Sequence, residues 1–131
     1  ALKRWVYNWY KAEIPEVYIE FEKILCERKR IADLYVQYPT GFEEVIECQV
    51  SRITVEKLLD RTLCYWDYGF PVFWIFDSRL ASEDFKREIS HNGIHHFAVA
   101  EIGQKQSSYE VSDYANKRES DRYHGNGYVA F

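Results

Sequence analysis

The 131-residue sequence has no methionine, only three cysteines, three prolines and six glycines, and no long hydrophobic run. The longest uninterrupted apolar stretch, Val72 to Phe76, falls far below the roughly 20 residues of a membrane-spanning helix, so no membrane partner is expected. Cys26, Cys48 and Cys64 cannot all pair within one chain, and none sits in a CxxC or Cys/His zinc spacing. They read as reduced thiols of a cytoplasmic protein. Positive charge is also short: 17 Lys and Arg stand against 21 Asp and Glu, a net charge of −4. Neither region compensates, with 11 basic and 13 acidic residues up to Leu80 and 6 and 8 beyond it. Net charge therefore gives no support to unassisted nucleic-acid binding. No basic segment leads into an apolar stretch at the start, so no secretory signal is expected. A start at Ala1 is compatible with a piece excised from a longer chain.

What is present is a globular composition, 47% apolar and 29% charged, which excludes a disordered or collagen-like chain and suits one domain with a core. Leu2 to Lys11 has helical spacing until Pro15 stops it. Val17 to Leu25 alternates, with Val17, Ile19, Phe21 and Leu25 on one side and Tyr18, Glu20, Glu22 and Ile24 on the other, as a strand does. Arg30 to Gln37 alternates too, with Ala32, Leu34 and Val36 on one face. Pro39 to Gly41 turns the chain into a third strand, Glu44 to Val50, whose Ile46, Cys48 and Val50 face inward. Thr54 is placed to cap a helix that runs to about Tyr68, with the apolar stripe Val55, Leu58, Leu59, Thr62, Leu63 and Trp66. That leaves Lys57, Arg61, Tyr65 and Tyr68 pointing elsewhere. Phe70 to Phe76 reads as a doubly covered central strand. Ala81 to His91, capped by Ser82, reads as a helix and Ile94 to Ile102 as a strand. Residues 103–131 form a polar extension without an assignment, beside a domain over 1–102. The order predicts an α/β (α+β) fold with one mixed central sheet flanked by helices.

If the three strands pair as successive hairpins, the turn at Pro39 to Gly41 sets Asp33 opposite Glu47 and Ile31 opposite Gln49. A turn at Glu27 and Arg28 sets Glu22 opposite Asp33. Three carboxylates then form a row across three strands. Facing like charges destabilise a sheet, so the row needs a cation or exposure to water. A divalent ion with hard oxygen ligands is one solution. A sheet with one wet face, alternating acids with apolar residues, is the other.

The series Arg30-Ile31-Ala32-Asp33, then Glu47-Cys48-Gln49-Val50-Ser51, then Glu56 through Arg61 and Tyr65 to Gly69, then Val72-Phe73-Trp74-Ile75-Phe76, resembles the nuclease region of the competence protein CoiA family. That family belongs to the PD-(D/E)XK nuclease superfamily. The resemblance spans about residues 17–77 and implies an αβββαβ restriction-endonuclease-like core, here with an added C-terminal helix and strand. It also implies metal-dependent hydrolysis of phosphodiester bonds, with DNA as substrate and Mg²⁺ or Mn²⁺ as cofactor. Asp33 and Glu47 match the metal-holding acids, Gln49 the third motif position, and Glu22 or Glu20 the variable first acid.

Gln49 can orient water or phosphate but supplies neither charge nor base. Arg30 and Arg52, with Arg61 and Tyr65 one turn apart on the helix, are the candidate substrate contacts. Lys23, Arg28, Lys29 and Lys57 are further local cations. The tryptophans Trp5, Trp9, Trp66 and Trp74 read as core, and Cys48 as packing. His91, His95, His96 and His124 lack the acid or Cys pattern of a zinc site. An inactive relative that binds nucleic acid or protein stays open, as does an unrelated domain whose tyrosines line a small-molecule cavity. A second copy, or further domains of a longer chain, are the other partners left open.

Overall fold

A computed structural model describes residues 1–102 and 109–114. Its six-stranded sheet runs in the order β1(Tyr18–Leu25), β2(Arg30–Gln37), β3(Glu43–Gln49), β4(Val72–Asp77), β5(Phe97–Ile102) and β6(Tyr109–Tyr114). The first three strands form an antiparallel meander, β3, β4 and β5 are parallel neighbours, and β6 returns antiparallel. The two parallel steps are bridged by α2(Val55–Asp67) and α3(Glu83–His91), while α1(Leu2–Glu13) precedes the sheet. This is the expected mixed α/β architecture. The sixth strand falls in the polar extension, where the sequence pattern supports no assignment; His124 lies outside the described residues.

Local chemistry explains the element boundaries. Thr54 and Ser82 cap α2 and α3 through side-chain oxygens that accept from the backbone N–H of Lys57 and Phe85. Gly69 follows α2 at φ +83°, a left-handed turn that glycine adopts without Cβ strain. The buried Leu2, Val6 and Tyr10 of α1 pack on Leu34, Val36, Ile46, Cys48 and Ile75, covering one face of the sheet. On the opposite face Leu58 of α2 and Ile89 of α3 pack on Trp74, Phe76, Phe97 and Val99. Strand β4 thus sends Ile75 one way and Trp74 and Phe76 the other, which is why its sequence is continuously apolar.

Both hairpin registers agree with the turn-based expectation. Leu34 pairs with Ile46 and Tyr35 with Val45. On the other side Phe21 pairs with Leu34 and Lys23 with Ala32. The β1–β2 ladder skips Glu22 and Asp33 between those pairs, and Glu22 has φ +51°. There the alternation changes phase. Phe21 and Leu34 pack on the α1 side, whereas Leu25 and Ala32 pack with Tyr65 of α2 on the other. The single-faced sets read from the sequence, Phe21 with Leu25 and Ala32 with Leu34, are therefore each split by this kink.

The α2 stripe is also rotated. Leu58, Thr62 and Tyr65 are its buried residues, while Leu63 and Trp66 are 49% and 47% exposed. Trp66 is accordingly not core. Thr62 belongs inside because its hydroxyl donates to the Leu58 carbonyl at 2.8 Å and accepts from the Trp74 indole N–H at 2.9 Å.

Candidate active site

Strands β2 and β3 pair from Gln37 and Glu43 only as far as Leu34 and Ile46, while β3 stays paired with β4 through Gln49. The sheet therefore forks at Asp33 and Glu47. Backbone donors that a continuous ladder would serve are met by carboxylates instead. The Asp33 N–H donates to Glu47 Oε2 at 3.3 Å, and the Cys48 N–H donates to Asp33 Oδ2 at 2.8 Å. The phase change at Glu22 and Asp33 aims Asp33 across the gap toward β3. Glu47 points to α2, where the fully buried Tyr65 hydroxyl donates to its Oε1 at 2.8 Å.

This arrangement sets the electrostatics. Burial, and then the neighbouring Asp33 charge, push the Glu47 carboxyl well above the usual carboxylate range, while the Tyr65 hydrogen bond acts the other way. Burial and the Glu47 charge likewise push the Tyr65 phenol up, so it remains a donor. Burial raises the Cys48 thiol, helped by Asp33 and Glu47, which suits packing and not nucleophilic attack.

An open pocket of about 480 Å³ lies in the fork. Asp33, Glu47 and Gln49 line it together with Lys3, Arg28, Lys29, Arg30 and Arg61. The expected Arg30 and Arg61 are thus present. Gln49 reaches the pocket, but its amide Nε2 donates to the Ser51 carbonyl at 2.6 Å and approaches Ser51 Oγ at 3.3 Å.

Four site expectations need correction. Tyr65 is 0% exposed, so it positions Glu47 and cannot face substrate. Arg52 lines a different pocket, beside Arg79, Ser82 and Phe85. Glu20 is held away by Tyr18 and Lys23, the latter lying 4.8 Å from the Tyr35 ring centroid. Glu22 does not join Asp33 and Glu47 in a three-acid cage: among the described residues no group of three or more His, Cys, Asp or Glu is arranged to hold a metal ion. Lys3 stands between Glu22 and Asp33 instead, 3.2 Å from one carboxylate and 3.5 Å from the other. Partial burial pulls its ammonium down, but Glu22 and Asp33 outweigh this and hold it above its ordinary value.

Lys3 is the residue that the sequence reading missed. The available signal was the first turn of α1, which carries Lys3 and Arg4 and no acid, the reverse of what the helix dipole favours.

Asp33 and Glu47 nonetheless fit one hard divalent cation. Mg²⁺ commonly takes one or two protein carboxylates and keeps several waters, and this pair opens onto a polar pocket.

The family model of the competence protein CoiA nuclease-like domain matches residues 1–120. The chain belongs to this nuclease-like family. No curated protein matches it. Its structure is similar to that of the SPO1766 protein of unknown function from Silicibacter pomeroyi, with a TM-score of 0.55 over 96% of this chain and 80% of that one. At 17% identity that likeness speaks to the fold alone. The forked acidic pair thus sits in a nuclease-like core of the CoiA family, in an arrangement of one mixed sheet covered by helices. Among the described residues no helix is long and apolar enough to cross a membrane.

Proposed function

We propose that this CoiA-family domain is a divalent-metal-dependent nuclease that hydrolyses phosphodiester bonds of DNA, using Mg²⁺ or Mn²⁺ held by Asp33 and Glu47. The observation that carries the reading is the buried, elevated Glu47 carboxyl facing Asp33 in a fork rimmed by cations. A perturbed carboxyl beside a second acid in a pocket is what acid–base and metal chemistry use. A divalent ion there lowers the pKa of bound water and stabilises charge on the phosphate.

The chain's own residues do the rest. Tyr65 and the Asp33 N–H fix both oxygens of Glu47, so its carboxylate cannot swing away. The Cys48 N–H fixes one oxygen of Asp33. Arg30 and Arg61, with Arg28 and Lys29 from the β1–β2 turn, line the wall where a polyanionic strand would lie. In the overall reaction a water oxygen bonds to phosphorus, one P–O bond to a sugar breaks, and the departing oxygen acquires a proton.

The inactive-module reading is favoured by one observation, the commitment of the Gln49 amide to Ser51. The small-molecule cavity reading loses support, because the pocket is walled by cations and carboxylates while Tyr65 is buried behind Glu47. Incubation of linear and single-stranded DNA with the chain in Mg²⁺, Mn²⁺ or chelator separates the first two readings. Expected are ion-dependent products and a loss of at least about a hundredfold in Asp33→Ala and Glu47→Ala with the fold retained. Cleavage that survives in both variants without metal would sink the proposal, and DNA binding without any cleavage would favour the inactive module.

A further inference from the structure

The fork needs a cation that stays with the protein, because charge that develops on a phosphate under attack is best met by a preorganised donor aimed at it. Gln49 does not provide one, since its amide is neutral and bonded to Ser51. Lys3 is placed to do so. Its Nζ lies 3.5 Å from Asp33 Oδ1 and 3.2 Å from Glu22 Oε1, and its side chain, 37% exposed, lines the same pocket. Leu2 and Val6, on either side of Lys3 in α1, are buried against the cluster that includes Cys48, the residue between Glu47 and Gln49. The helix start is therefore anchored directly behind the fork. Arg4, the other cation of this turn, is directed elsewhere, with its guanidinium 4.8 Å from the Phe21 ring centroid and 5.4 Å from that of Tyr7.

We propose that Lys3 is a catalytic residue of this site: its ammonium contacts a non-bridging oxygen of the phosphate held at Asp33 and Glu47, supplying from α1 the positive charge that Gln49 lacks. The proposal rests on the nuclease reading above. It accounts for a cation in a helix turn where the dipole disfavours one. It also gives the exposed Lys3–Glu22 pair a purpose, since such pairs add little stability but can hold a flexible lysine in one direction until substrate arrives. Glu22 on this view is a positioning residue.

The test uses the whole chain with Lys3→Met, Lys3→Arg and Lys3→Met combined with Gln49→Lys. Binding of a short DNA duplex is measured in Ca²⁺ across a salt series, cleavage in Mg²⁺, ion affinity by calorimetry, and folding by thermal melting. Lys3→Met is expected to flatten the salt slope by about 0.9, the signature of one lost phosphate contact. Its cleavage should fall by about 10² to 10³-fold, while ion affinity is kept or tightened. Lys3→Arg should keep the slope, and Gln49→Lys should return at least about tenfold of the lost cleavage, because it restores a cation to the same pocket. A Lys3→Met chain that folds and keeps the wild-type slope and cleavage overturns the proposal. So does a loss that merely follows weakened ion binding. A wild type that binds duplex without cleaving defeats the nuclease reading and with it the catalytic role of Lys3, while the salt-slope comparison still decides separately whether Lys3 contacts phosphate. No duplex binding in any condition defeats both.

Discussion

Glu47 is under opposed demands that Tyr65 reconciles. Burial disfavours its charge, yet it must be ionised to hold a cation, and the phenol is the side-chain donor that favours the ionised form. Replacing Tyr65 with Phe keeps the ring that packs with Val45 and Ala32 and removes only that donor. The Glu47 carboxyl should then rise further, moving the acid limb of the cleavage pH profile upward, with a stability loss of about 1–2 kcal/mol from the unpaired buried oxygen. A pH–rate profile and a denaturant titration check both effects, and an unshifted acid limb would count against the role given to Tyr65. The sequence marks Glu47 and Asp33 through turn geometry, but it offers Tyr65 only as a substrate contact one turn from Arg61 and not as the partner of Glu47. A tyrosine outside the apolar stripe reads as a surface residue until the sheet is seen to offer it a carboxylate. Leu63 and Trp66, which fit the stripe by polarity, are displaced outward by the same rotation of the helix.

At the scale of elements, the informative feature is the kink that β1 and β2 share. Register was legible because turn lengths fix it, and the pairing agrees on both sides of the interruption. Facing was not, since alternation assumes extended backbone throughout and nothing in a glutamate announces φ +51°. Without the phase change Asp33 would stand on a sheet face; with it, Asp33 bridges the gap to Cys48, and Glu22 turns toward Lys3. Left-handed backbone costs a non-glycine residue about 1–2 kcal/mol, which is held here by the surrounding hairpin. A comparison of Glu22→Gly with Glu22→Ala isolates that cost, because both lose the carboxylate and only alanine carries a Cβ. The glycine variant should be more stable by about 1 kcal/mol in denaturant unfolding, and equal stabilities would mean that the kink is not strained.

For the whole molecule, the fold was readable to β5 because each buried face carries its own pattern: the stripe of α1, the capped α2 and α3, and the doubly covered β4. Strand β6 was not, as a polar segment that pairs along one edge needs little apolar patterning. The net charge of −4 misleads if it is spread evenly over the surface, since the fork gathers Asp33 and Glu47 among Lys3, Arg28, Lys29, Arg30 and Arg61. That concentration couples folding to protons and to metal. A carboxyl raised in the folded state contributes stability that is fully present below its unfolded pKa and is lost as pH rises through the folded value. Without divalent ions the melting temperature should therefore fall as pH climbs from the ordinary carboxylate range past neutrality, as Glu47 is forced to ionise beside Asp33. Mg²⁺ should reverse the trend, binding with release of protons and stabilising the chain by about 2.7 kcal/mol at a hundred times its dissociation constant. Melting curves across pH with and without Mg²⁺ read this linkage directly. Glu47→Gln should abolish both the fall and the rescue, because a neutral amide neither loses a proton nor attracts the ion. A wild type whose melting temperature is indifferent to Mg²⁺ at every pH would mean that Asp33 and Glu47 do not form a cation site.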